Sequence, residues 1–137
     1  MIRISRRTVG TALVSMLTVA GVVLAQGPAV AAPEEVSVYT TDDNPGGMSN
    51  WNGDKSSSSS AEVWNACDHD TDGYRAVTFI TYSGTRWEIQ DADGDNGNCA
   101  ITDDVNFPEG VTVTVTACLR NGANGTPKFC ASKQGHA

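Results

Sequence analysis

Val111-Thr112-Val113-Thr114-Val115-Thr116-Ala117-Cys118-Leu119 decides the fold class. Successive side chains of a strand point to opposite faces. This spacing therefore puts Val111, Val113, Val115, Ala117 and Leu119 on one face, and three threonines with Cys118 on the other. One face is built to pack on a core and the other to meet solvent.

Outward from this stretch, the same period recurs. Tyr74–Tyr82 (YRAVTFITY) carries aromatic and β-branched residues on both faces, as a central strand does. Arg86–Gln90 separates Trp87 and Ile89 from Arg86, Glu88 and Gln90. Ala61–Cys67, Pro127–Ser132 and Glu35–Thr40 read as further strands. No window shows a helical period, so the spacing predicts an all-β fold, a small antiparallel β-sandwich. Thr41–Ser60 (TDDNPGGMSNWNGDKSSSSS) reads as a flexible polar linker. The expected organisation is a signal peptide at 1–31, an N-terminal strand and linker at 32–60, and a β domain at 61–137. The compact part of that domain is expected to end near Lys133, with His136 in a loosely held tail.

The signal peptide rests on three features. Arg3, Arg6 and Arg7 open the chain, an apolar run spans Val9–Ala25, and Ala29-Val30-Ala31 offers an A-x-A cleavage site. The run is shorter than the ~20 residues that span hydrocarbon, which argues against a membrane anchor. Ser5-Arg6-Arg7-Thr8-Val9 also resembles a twin-arginine signal, although Val9 and Gly10 stand where bulkier apolar residues are usual. Either route leads outside the cell. All 16 acidic residues but only six of the nine basic ones follow Ala31, so the secreted part is strongly acidic. Such a surface repels nucleic acid and anionic lipid, and no nucleic-acid partner or membrane span is expected.

Four cysteines in an exported chain point to disulfides. Their spacing contains no C-x-x-C, and only His69 and His136 could complement them, which disfavours zinc. Three pairings are possible. Folding residues 119–129 about Asn124 sets Leu119 opposite Phe129 and Cys118 opposite Cys130. Extending the register of a second hairpin, with Ser83-Gly84-Thr85 as its loop, brings Cys67 near Cys99. Cys67–Cys99 and Cys118–Cys130 are the expected bridges, each contributing roughly 3–4 kcal/mol in the chain-entropy model.

The most suggestive chemistry is Asp68-His69-Asp70-Thr71-Asp72-Gly73, the opening half of a calcium loop. The twelfth position is Phe79, so the bidentate acid of that motif is missing. Asp91, Asp93 and Asp95 repeat the alternation, and the hairpin register carries them to the same end of the sheet. Asp68, Asp70, Asp72, Asp91, Asp93 and Asp95 are thus candidate metal ligands with calcium as the possible cofactor, weighed against plain turn formation in water.

Catalytic signals are poor. His69 has no paired nucleophile, Glu62, Glu88 and Glu109 could only in principle supply a glycosidase pair, and Ser83 is not in a G-x-S-x-G elbow. No catalytic residue is assigned. Among the tryptophans, Trp87 alternates with Ile89 as a core residue would. Trp51, in the polar stretch, is the one the fold does not obviously need, and is a weak binding candidate.

Several runs carry a resemblance: Ala66-Cys67-Asp68, Asp72-Gly73-Tyr74-Arg75-Ala76-Val77, and Asp91–Gly97 with Cys99. Pro108-Glu109-Gly110-Val111-Thr112-Val113 and Ala117-Cys118-Leu119-Arg120 with Asn121-Gly122 and Cys130 extend it. Over residues 61–133 the chain resembles small secreted disulfide-containing proteins of actinomycetes. That group implies export and a disulfide-linked β domain, and brings no mechanism. The expected role is a non-enzymatic extracellular binding or interaction module with an extracellular protein or surface ligand as partner. A calcium-stabilised structural module is the alternative, and a small hydrolase comes third.

Overall fold

The computed structural model describes residues 35–53 and 62–137, and the segment 1–31 expected to be a signal peptide lies outside the described residues. Eight strands form: β1 Glu35–Tyr39, β2 Gly47–Asn52, β3 Val63–Asp68, β4 Tyr74–Tyr82, β5 Thr85–Asp91, β6 Ala100–Thr102, β7 Thr112–Asn121 and β8 Lys128–His136. No helix occurs among the described residues. Two antiparallel four-stranded sheets pack face to face, in the orders β1-β2-β3-β6 and β5-β4-β7-β8. The chain is an all-β sandwich.

The alternation in β7 appears as expected, with Val113, Val115, Ala117 and Leu119 buried. Val113, Val115 and Ala117 meet Val36, Val38, Trp51, Trp64 and Ile80 between the sheets, and Trp87 and Ile89 pack against that cluster. Phe107 sits among three aromatic rings, edge-on to Trp51, Tyr82 and Trp87 at 5.7, 5.7 and 5.0 Å. Buried Glu62 accepts the backbone N–H of Phe107 at 3.0 and 3.1 Å and so fixes this loop residue in the core.

The structure corrects five readings. The polar stretch contains strand β2, which lies between β1 and β3, so the sandwich includes residues 35–53. Trp51 is fully buried, with Nε1 donating to the His136 carbonyl at 3.1 Å, and is a core residue rather than a binding residue. The alternation of β2 escapes notice because its inward residues are Gly47, Ser49 and Trp51, only one of them recognisably apolar. Residues 133–136 are no loose tail: β8 pairs with β7 as far as Thr112↔His136, and Gly135 lies against the Trp51 ring.

The remaining corrections concern the hairpins. Tyr82 pairs with Thr85, so the β4–β5 loop is two residues, not three. Ser83 (φ 49°) and Gly84 (φ 82°) take the paired left-handed backbone that suits a tight hairpin. In the last hairpin Leu119 faces Lys128, not Phe129, because a bulge falls between Ala117 and Leu119. Phe129 is the extra residue and adopts φ 53° to absorb the kink.

Both disulfides form as expected, Cys67–Cys99 and Cys118–Cys130, with Cα separations of 4.4 and 4.2 Å. The first has a different origin from the one deduced. β3 belongs to the sheet opposite β4, and the β3–β6 register, with Ala66 facing Ala100, brings Cys67 to Cys99.

Candidate functional site

Two features merit attention, the aspartate turns and the open side of the sandwich. The two aspartate clusters do come together. The backbone N–H of Asp68 donates to Asp91 Oδ2 at 2.9 Å, and the Gly94 backbone packs over Asp70 and Thr71. Most of these carboxylates fix the turns: Asp68 Oδ1 accepts Asp70 N–H at 3.2 Å, Asp72 accepts Tyr74 N–H at 2.8 Å, and Asp93 accepts the Asn96 side chain. These are the local caps that make aspartate a turn former.

The electrostatics follow from this crowding. Burial, with the nearby charges of Asp91 and Asp72, pushes the Asp68 carboxyl above its ordinary pKa. Burial raises Asp91 too, and a hydrogen bond with Asp93 reinforces it by favouring the protonated form. The same bond, with that from Asn96, holds Asp93 below its ordinary range. Asp68 Oδ2 is buried and meets no hydrogen-bond partner among the described residues. Among the described residues, no group of three acidic, histidine or cysteine side chains is placed to hold a metal ion. Asp95 is exposed.

The residues once considered for catalysis have other employment. Glu62 holds Phe107, and Glu88 forms an ion pair with Arg120 on the outer face of its sheet. Partial burial tends to raise the Glu88 pKa, but hydrogen bonds from Arg120 and Gln90 outweigh it and lower the net value. Arg86 lies 4.3 Å over the Phe79 ring on that same face.

The second feature is the side where β5 and β6 end their respective sheets. A depression of about 370 Å³ opens between them, walled by Trp64, Trp87, Ile89, Ile101 and Val105 and edged by Thr102 and Asp104. A second, of about 360 Å³, continues along the same two segments, between Gln90–Asp93 and Asn98–Ala100. The residues lining the two depressions follow one another in sequence along β5 and β6, and this side of the sandwich is referred to as the seam. Trp64 is buried, and among the described residues its Nε1 meets no acceptor. Ile101 is 63 % exposed, the most exposed large hydrophobic residue described.

The period of β5 explains the seam's composition. Trp87 and Ile89 face inward between the sheets, while Glu88 faces outward to Arg120. β6 is three residues long, so its sheet falls short of covering the seven residues of β5. The sequence contained signals for Trp64 and Trp87 in their alternation. Ile101, Asp104 and Val105 were hidden in a stretch too short and polar to read as a strand. No family model, curated protein or solved structure matches the chain.

Proposed function

We propose that this chain is a non-enzymatic extracellular binding module whose ligand lies in the seam between β5 and β6. One observation carries the reading: a depression of about 370 Å³, with Trp64, Trp87, Ile89 and Val105 in its walls, opens between the last strands of the two sheets. The export signal at the N-terminus and the two disulfides support action outside the cell.

The test is titration of ¹⁵N-labelled protein with N-acetylleucine methylamide, a small neutral probe with an apolar body and carbonyl acceptors. Saturable shifts confined to the Trp64 and Trp87 indoles and to residues 100–105 are expected. Shifts scattered elsewhere, or none, would overturn the assignment.

A second reading, a calcium-stabilised module, draws on the buried and unpaired Asp68 Oδ2 among its acidic neighbours. Calcium added to the apo protein would then raise the melting temperature, and an unchanged melting curve would dispose of it.

A further inference from the structure

The occupant of the seam can be specified further, an inference that rests on the binding role just proposed. Among the described residues no backbone hydrogen bond reaches the outer edge of β5 or of β6. A free edge is a row of donors and acceptors able to take another strand. β5 offers seven residues of such edge and β6 three. A strand added beside β5 would continue its pleat, turning alternate side chains inward beside Trp87 and Ile89.

Charge narrows the choice. The residues lining the two depressions include Glu88, Asp91, Asp93 and Asp104, and no lysine or arginine. Glu88 is already paired with Arg120 and Asp91 is buried, which leaves two exposed carboxylates, Asp104, and Asp93, which is exposed although hydrogen-bonded to Asn96. We propose that the seam takes an extended segment of a partner protein, hydrogen-bonded to the edge of β5. Its inward apolar side chains sit beside Trp64, Trp87 and Ile89, with Ile101 at the outer rim, and its basic residues flank them at Asp93 and Asp104. Complementary charge of this kind sets register and partner choice.

The probe is a nine-residue peptide with alternating valine and threonine between lysine pairs. Its controls replace the lysines by glutamates, or N-methylate alternate backbone nitrogens. Binding by the lysine peptide should move the Trp64 indole signal and slow amide exchange along Thr85–Asp91. Asp104→Lys should weaken it at least five-fold, and Ile101→Glu more, both at exposed positions that leave the fold intact. Equal binding by the glutamate peptide, or indifference to N-methylation on both registers, would overturn the proposal. So would concentration-dependent dimerisation through the same residues, which would make a second copy the occupant. If the small amide binds and the peptide does not, the strand fails and the binding role stands. If neither moves Trp64, both fail.

Discussion

Thr78 and Ser49 join the two sheets by a hydroxyl–hydroxyl hydrogen bond in the middle of an otherwise apolar core. Thr78 Oγ1 also donates to the Asn65 carbonyl at 2.6 Å, so one threonine of β4 ties together β2 and β3. Thr78→Val keeps the shape but strands the Ser49 hydroxyl. A loss of about 1–3 kcal/mol is expected from urea denaturation. The double variant with Ser49→Ala should recover part of that loss, since neither partner is then left unmatched.

Gly135 marks a close approach between β8 and the core. A β-carbon there would stand 2.7 Å from Trp51 Cδ1 and 2.9 Å from its Nε1, inside van der Waals contact. Gly135→Ala should destabilise by about 1–3 kcal/mol and alter the near-ultraviolet circular dichroism of the buried indole.

Phe129 occupies the left-handed backbone of the bulge, where glycine is at ease and a bulky side chain is not. Its ring is 45 % exposed, so little packing is lost on removing it. Phe129→Gly is expected to raise the melting temperature by relieving about 1 kcal/mol of backbone cost. A lowered melting temperature would show that the ring stabilises the fold.

Asp91 and Asp68 make stability depend on pH in a definite sense. Both carboxyls titrate above their ordinary values in the fold, so ionising them costs more in the native state than in the unfolded chain. Their contribution is most favourable when protonated and is lost as pH rises from about 4, the unfolded value, through the raised native one. Asp91→Asn can still accept from the Asp68 N–H and can donate to Asp93. The variant should melt higher than the parent at pH 7, and the gap should close by about pH 4.

The bridges differ in span. Cys67–Cys99 closes a separation of 32 residues and Cys118–Cys130 one of 12. Loop entropy makes the paired alanine substitution at the first cost about 4 kcal/mol and at the second about 3, measured by denaturation.

What could be read in advance followed from side-chain period. β7 declares itself by its inward valines, and β4 by apolar residues on both faces, Ile80 inward and Val77 and Phe79 outward. β2 conceals itself because Ser49 is buried for its hydrogen bond, and Gly47 because Leu119 and Thr40 would lie 3.0 Å from any β-carbon. Neither reason is visible until the opposite sheet is in place. The seam stayed hidden for a related cause: it is made by two strands of different sheets, and no local pattern in β5 or β6 announces their apposition. The aspartate clusters were legible as neighbours, while their use as caps depended on backbone positions that only the folded chain supplies.

Phe107 gives the 103–110 segment an unusual standing for a stretch without strand pairing. It plugs the centre of the molecule like a bung, pinned by Glu62 and gripped by three rings. Connectors are therefore not interchangeable in this protein. A few extra residues spliced between Ser83 and Gly84 should be borne with little harm, whereas the same splice beside Phe107 should unseat the bung and open the interior to water.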